Sequence, residues 1–358
     1  MLTSLPQIYF MADHSNFDPN SVGLRSNNIF GLPFSQDEAS LILIPVPWEV
    51  TVSYRSGTAE GPATIYEAAM QVDLYDPDMP NAWRKGFFMQ TADEQIRAKS
   101  DKFRQYAEAQ IAFMANGGTV DENEEIKAKL NEINDACIWL RDTLYQRCLD
   151  LLKQGKKVGL IGGDHSTPLG FIKALAQQNE SFGVLQVDAH CDLREAYEGF
   201  TYSHASIMYN VLKEIPQVKS LVQVGIRDYC DDELALITRN PDRIVTYFDK
   251  EIKERQYEGE SWRHIAEEII DNLPAKVYIS FDIDGLDPKL CPNTGTPVPG
   301  GFEMEQVFYL FKLLKQSGRE IIGFDLNEVA CGENAADSID AIAGARVLYK
   351  LCNYLATA

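Results

Sequence analysis

The sequence predicts an α/β protein: a three-layer α/β/α arrangement on a mostly parallel central sheet. Short apolar runs recur from Leu41 to Phe324, separated by loops and helical patterns. Such alternation builds parallel sheets with helices on both faces. The runs are continuous in Val, Ile and Leu, as strands buried on both faces require. Carboxylates and histidines follow several of the runs directly, at the strand ends where open α/β sheets form their sites.

Composition narrows the function. The chain has 358 residues, 45% of them apolar, enough for one large core. Its net charge of −20 argues against nucleic acid or an anionic membrane surface as partner. No apolar run reaches the roughly 18 residues that span a bilayer. The stretch Met1 to Phe34 has no basic start and no continuous apolar core, so a signal peptide is not expected. Seven cysteines (Cys137, Cys148, Cys191, Cys230, Cys291, Cys331 and Cys352) are scattered, without a CxxC pair. A disulfide framework or cysteine zinc site is not expected, and a reducing cytoplasm is.

Residues 1–40 read as an N-terminal arm and 41–358 as a single domain. Leu41 to Pro47 is a first buried strand ended by prolines. The turn-rich loop Ser53 to Pro62 leads into a helix with Pro62 in its first turn. From about 84 to 153 there is no proline, and charges are interspersed with Ile, Leu and Phe. This reads as a helical insertion of two or three helices, broken at Asn116-Gly117-Gly118, with Asp121 to Glu125 a solvated acidic run. Strands are then predicted at Lys157 to Ile161, Phe182 to Val187, Leu221 to Ile226, Arg243 to Phe248, Val277 to Phe281 and Ile321 to Phe324. A helix through Ala176 follows the first of them.

The chemistry sits after these strands. Val187-Asp188-Ala189-His190-Cys191-Asp192 ends one; in an extended segment Asp188, His190 and Asp192 share a face. Asp282 and Asp284, in Ser280-Phe281-Asp282-Ile283-Asp284-Gly285-Leu286-Asp287-Pro288, share a face in the same way. His165 follows another strand in Gly162-Gly163-Asp164-His165, and Asp325 and Glu328 follow the last. His165, Asp188, His190, Asp192, Asp282 and Asp284 offer two imidazoles and four carboxylates. One ion would leave the carboxylates under-compensated, so two divalent ions balance the set. Such a pair lowers the pKa of a bridging water enough to give hydroxide near neutral pH. Oxygen and nitrogen donors without thiolate favour Mn²⁺, with Ni²⁺ or another divalent ion as alternatives.

These segments, with Gly295-Thr296-Pro297-Val298-Pro299-Gly300-Gly301 and Gly323-Phe324-Asp325-Leu326-Asn327-Glu328, resemble the ureohydrolase family of arginase and agmatinase from about Leu41 to the C-terminus. The resemblance implies an arginase-like fold with two Mn²⁺ ions. His165, Asp188, Asp192 and Asp282 would hold one, and Asp188, His190, Asp282 and Asp284 the other, with Asp188 and Asp282 bridging. It implies attack of a metal-bridging hydroxide on a guanidinium carbon, Glu328 clamping the guanidinium and His204 passing protons to the leaving amine. His14 and His264 match nothing and are taken as structural; Asp287 is read as a loop brace, and Cys191 and Cys331 as packing residues.

The stretch Leu193 to Tyr202 departs from arginases and is similar to a branch of agmatinases, so agmatine hydrolysis to putrescine and urea leads. The insertion after Arg84 and the lack of a proline in Val329-Ala330-Cys331 are departures from agmatinases. The rivals are guanidinobutyrate, guanidine, arginine or formimidoylglutamate as substrate, a mononuclear zinc deacetylase, which needs only one Asp-His-Asp set, and an inactive metal-containing scaffold. The resemblance also implies a homo-oligomer, trimer or hexamer.

Overall fold

Every side chain of Leu41–Val46 is buried, and its alternate residues enter two different cores. Leu41 and Leu43 join one apolar cluster, Ile42 and Ile44 the other. A strand covered on both faces needs helices on both, and that is the architecture of the computed structural model, which describes residues 14, 17–332 and 338–358. The start of the arm (1–13, 15 and 16) lies outside the described residues.

Its strands are β1 (Leu41–Val46), β2 (Phe87–Met89), β3 (Lys157–Gly162), β4 (Phe182–Val187), β5 (Val218–Ile226), β6 (Ile244–Phe248), β7 (Lys276–Asp282) and β8 (Glu320–Asn327). They form one sheet in the order β2-β1-β3-β8-β7-β4-β5-β6, and every pairing is parallel. The helices are α1 (Gly61–Ala69), α2 (Glu94–Ala115), α3 (Glu124–Lys153), α4 (Leu169–Leu175), α5 (Ile207–Glu214), α6 (Asp231–Arg239), α7 (Asp249–Tyr257), α8 (Trp262–Asp271), α9 (Met304–Gln316) and α10 (Ile339–Ala356). Ile65 of α1, Ile265 of α8, Leu310 of α9 and Leu348 of α10 pack in one core. Phe103 of α2, Leu140 of α3, Phe171 of α4 and Val211 of α5 pack in the other.

The 84–153 region is not helices alone. It opens with β2, whose Phe87–Met89 pairs with Leu41–Leu43 and makes the edge of the sheet. Three apolar residues beside a long helical pattern are too short for periodicity to identify as a strand. The two long helices begin at side-chain caps: Asp93 accepts from Gln95 N, and Asn123 from Glu125 N and Ile126 N. Gly117, at φ 86°, turns the chain between them. The described part of the arm packs on the domain, with Ile29, Phe30 and Leu32 buried in the first core.

One buried ion pair ties α10 to the loop after α1. Asp76, 2% exposed, accepts from Lys350 Nζ at 2.8 Å and Asn353 Nδ2 at 3.0 Å. Burial raises the Asp76 carboxyl, but Lys350, Asn353 and the backbone of Asp78 outweigh it and hold it below the usual range. A carboxyl depressed in this way adds stability above its unfolded pKa of about 4, and that stability is lost as pH falls through the folded value. Lys350→Met should cost about 3–5 kcal/mol at neutral pH by stranding the buried charge. Urea denaturation should show the deficit shrinking toward about pH 4 as the carboxyl protonates.

Candidate metal centre

Four adjacent central strands deliver the site. Register pairs Ile161 of β3 with Leu326 of β8, Leu326 with Phe281 of β7, and Phe281 with Val187 of β4. Their carboxyl ends are therefore level, and the residues just beyond them meet. The chain passes over two places between β3 and β4 and grows on through β5 and β6; after β6 it reverses, and β7 and β8 fill the gap, with β7 beside β4. Such a switch point opens a crevice at the carboxyl edge.

His165 Nδ1 lies 3.1 Å from Asp188 Oδ2, 3.0 Å from Asp192 Oδ2 and 3.2 Å from Asp282 Oδ2. His190 Nδ1 lies 3.1 Å from Asp284 Oδ2 and 3.6 Å from Asp188 Oδ1. Two groups of convergent donors result, one around His165, Asp188 and Asp192 and one around Asp188, His190 and Asp284, sharing Asp188. All six predicted residues are thus brought together.

They do not converge by strand pleat, as the spacing predicts. Asp192 takes a left-handed conformation at φ 55°, which folds its carboxylate back toward His165. Asp284 sits in a 3₁₀ turn, Ile283–Gly285, and its N–H donates to the side chain of the capping residue, Asp282. The backbone leaves the extended state as soon as it leaves the sheet, and side chain-to-backbone bonds set the direction instead. Asp188 Oδ1 accepts from His190 N at 2.7 Å, and Asp284 Oδ1 from Ala189 N at 3.0 Å.

A cation fits this arrangement. His165 Nε2 is 2.9 Å from Ser280 Oγ, which donates onward to Asp325 Oδ1 at 3.0 Å. A ring whose Nε2–H donates outward presents the Nδ1 lone pair to the cluster. His165 Nδ1 is buried and has no hydrogen-bond partner among the described residues. A lone pair facing three carboxylates is repulsive unless a positive charge lies between them. Without one, the ring takes up a proton: burial lowers the His165 pKa, but Asp188, Asp192 and Asp282 raise it well above normal. Burial and the charge on Asp188 push Asp192 up to about 7, a measure of carboxylate crowding.

Two glutamines that sequence reasoning missed hold Asp188, the residue shared by the two donor groups. Gln186 Nε2 donates to Asp188 Oδ2 at 2.8 Å; Gln223 Nε2 donates to Gln186 Oε1 and to Cys191 O, both at 2.7 Å. Thr246 completes the relay across three strands by donating to Gln223 Oε1 at 2.8 Å. The signal was present: Gln186 interrupts the otherwise apolar β4 and Gln223 the buried run 221–226 of β5, where an amide must find partners.

Glu328 follows β8 in a left-handed conformation, φ 62°. Its Oε1 accepts from His165 N at 2.8 Å, and Oε2 has no donor among the described residues. Gly295 makes room for it, since a Cβ there would lie 2.9 Å from Glu328 Oε2. Burial and the charge on Asp164 push the Glu328 carboxyl well up. His204 is held through its N–H to Thr51 Oγ1 at 3.0 Å, and Thr51 in turn by Asp164. Its Nε2 lies 3.4 Å from Ser53 Oγ. Burial, then the charges on His190 and His165, lower His204 to about 3, so the ring is neutral at neutral pH. A cleft of about 250 Å³ opens over the cluster, lined by His190, Asp192, His204 and Glu328 and, toward its mouth, by Tyr54, Arg194, Tyr197, Asp228 and Tyr229.

The remaining histidines lie elsewhere. His14 stacks edge-on against Phe34 at 4.8 Å, and His264 is exposed near Glu260 and Glu268, whose carboxylates Arg255 already binds. Asp287 accepts from Lys289 N at 3.0 Å inside its loop.

The arginase family model matches residues 39–353. The chain belongs to the arginase family. It is a ureohydrolase, a hydrolase of guanidino compounds. It is similar to the N(1)-aminopropylagmatine ureohydrolase of Synechocystis, 28% identical over 89% of this chain and 90% of that one. It is also 28% identical to the agmatinase of Neisseria meningitidis serogroup C, over 93% and 92%. The crystal structure of the agmatine ureohydrolase of Thermoplasma volcanium shares the fold, with a TM-score of 0.65 at 22% identity over 90% of this chain and 92% of that one. The family implies a binuclear divalent centre, which the donor set fits.

Proposed function

We propose that this ureohydrolase acts on a guanidine with an ammonium-bearing tail, agmatine first, releasing urea and putrescine. The carrying observation is the mouth of the cleft. Asp228 is exposed there, with no hydrogen bond or ion pair to its carboxylate among the described residues, beside Tyr229, Tyr197 and Tyr54. A free carboxylate among aromatic faces suits an ammonium. The cation at the mouth, Arg194, is engaged: its Nε is 3.9 Å from Glu233 and its guanidinium lies over the Tyr197 ring at 4.8 Å. That disfavours guanidinobutyrate and formimidoylglutamate, whose tails are anionic.

His165, Asp188, Asp192 and Asp282 would hold one divalent ion and Asp188, His190, Asp282 and Asp284 the other, Mn²⁺ being the first choice for oxygen and nitrogen donors. When bound, the ions supply a hydroxide nucleophile near neutral pH. Glu328 accepts the guanidinium N–H groups on the oxygen that has no other donor and orients the planar carbon over the cluster. His204, neutral and beside Ser53, is placed to carry a proton toward the departing amine. Gln186 and Gln223 keep Asp188 fixed throughout.

A longer tail is the second reading, favoured by relatives named N(1)-aminopropylagmatine ureohydrolase and by the side chains of Tyr54 and Tyr229, 70% and 40% exposed beyond Asp228. Urea release by the Mn²⁺-loaded protein should be fastest with agmatine or its aminopropyl derivative, and Asp228→Asn should raise KM for both by about tenfold. Faster turnover of guanidinobutyrate or arginine would overturn the cationic-tail reading. Cytoplasmic residence is part of the proposal, supported by seven free thiols, and among the described residues no helix is long and apolar enough to cross a membrane. Assembly as a trimer or hexamer is proposed with it; sedimentation of the purified chain as a monomer would refute that.

A further inference from the structure

The α2–α3 pair, set apart in the sequence as an insertion, grips both loops that rim the cleft. From α2, Ser100 Oγ accepts from Glu49 N at 3.0 Å, and Arg104 donates to the carbonyls of Val50 and Val52, just before Ser53 and Tyr54. On the other rim, Gln110 Nε2 of α2 donates to Glu198 O at 2.5 Å. Asn134 Oδ1 of α3 accepts from Thr201 N at 3.0 Å, and Arg141 donates to Tyr202 Oη at 3.1 Å.

The second rim is strained where it is gripped. Tyr197 and Phe200 exchange backbone bonds of 3.2 and 2.8 Å, closing a tight hairpin over Glu198-Gly199. Both turn residues have positive φ, 52° and 85°, the mirror-image turn that suits Asn-Gly and disfavours a glutamate at its first position. No side-chain hydrogen bond compensates at Glu198 itself, whose Oε2 is buried without a partner among the described residues. Gly199 suits its place, since φ 85° disfavours a side chain and a Cβ there would lie 2.9 Å from Gln110 Nε2 and 3.2 Å from Leu130. Gln110 is itself fully buried, and Glu198 O is the acceptor that its amide group reaches. Strained backbone of this kind persists only where its surroundings impose it. Tyr197, one residue before the turn, lines the cleft and meets the His204 ring edge-on at 6.1 Å.

We propose that the α2–α3 pair is a specificity element: Gln110 holds the strained Glu198-Gly199 turn and thereby places Tyr197 as the wall against which the substrate's tail packs. Gln110 is a positioning residue, out of reach of substrate itself. The inference rests on the guanidino-hydrolase reading of the cleft. It separates recognition of the tail, set by the helices, from recognition of the guanidinium, set by Glu328 and the cluster.

The test uses the full-length Mn²⁺-loaded enzyme with the guanidine that the wild type turns over fastest. Gln110→Leu should raise KM for that substrate about five- to tenfold, the effect of one lost buried hydrogen bond, with kcat within about twofold. The inhibition constant of free guanidinium, which has the head and no tail, should not move. Adding Glu198→Asn, which relaxes the turn, should restore KM in the Gln110→Leu background. An unchanged KM, a matching loss of guanidinium affinity, or a KM rise that Glu198→Asn leaves in place would each overturn the proposal. Failure of the wild type to release urea from any guanidine would instead overturn the functional reading beneath it.

Discussion

Asp188→Asn is expected to abolish activity, by on the order of 10³-fold or more, and to remove both ions rather than one. Asp188 is shared by the two donor groups, with one oxygen 3.1 Å from His165 Nδ1 and the other 3.6 Å from His190 Nδ1. Losing an outer hydrogen-bond partner of a metal ligand costs roughly 10–100-fold, and losing the ligand shared by two sites should exceed that. His190→Ala is the comparison, because it strips one group only and should leave about one ion per chain. Metal content by mass spectrometry reads the difference directly. Melting temperature gives a second readout independent of turnover. An ion that binds only the folded chain stabilises it by mass action, so Mn²⁺ should raise the wild-type midpoint and leave that of Asp188→Asn unmoved. Two ions retained in Asp188→Asn would overturn the shared-ligand assignment.

The apo protein gives the same argument from the other side. Four carboxylates around two imidazoles are tolerable without metal only if protons replace it, which is what the raised pKa of His165, His190 and Asp192 describes. Metal loading must therefore expel protons.

How much of this was legible in the chain follows from what each feature depends on. The central strands were legible because a run such as Phe182–Val187, buried on both faces, can afford no polar alternation. The candidate ligands were legible because Asp and His at the ends of such runs have few structural reasons to be there. Their convergence was legible in outcome and not in geometry. The left-handed Asp192 and Glu328 carry no glycine to announce them, so a pleated approach was the natural inference and the wrong one. Gln186 and Gln223 could have been found, since an amide inside an apolar strand demands a partner. The role of α2 and α3 could not. Gln110 meets Glu198 across a separation of 88 residues, and helical periodicity says which face is buried, not which loop it braces.

Glu328→Gln should separate substrate binding from metal binding. The carboxylate lies beside the cluster without belonging to either donor group. One oxygen is fixed by His165 N at 2.8 Å, a bond that a glutamine carbonyl can keep. The other meets the cleft, and there an amide cannot match a carboxylate toward a cation whose N–H groups are all donors. A charge-assisted hydrogen bond to a buried partner contributes about 1.5–3 kcal/mol, so kcat/KM should fall roughly 10- to 100-fold, mostly through KM. Metal content and melting temperature should stay at wild-type values. Gly295→Ala approaches the same carboxylate sterically: its Cβ would stand 2.9 Å from Oε2, pushing that oxygen off the guanidinium while leaving its charge intact. It should therefore raise KM in the same direction, and the two changes together should cost less than their sum, because both act on one contact. Additive losses would place Glu328 and Gly295 in separate roles. Loss of an ion in Glu328→Gln would move Glu328 into the metal set and take away its assignment as the guanidinium clamp.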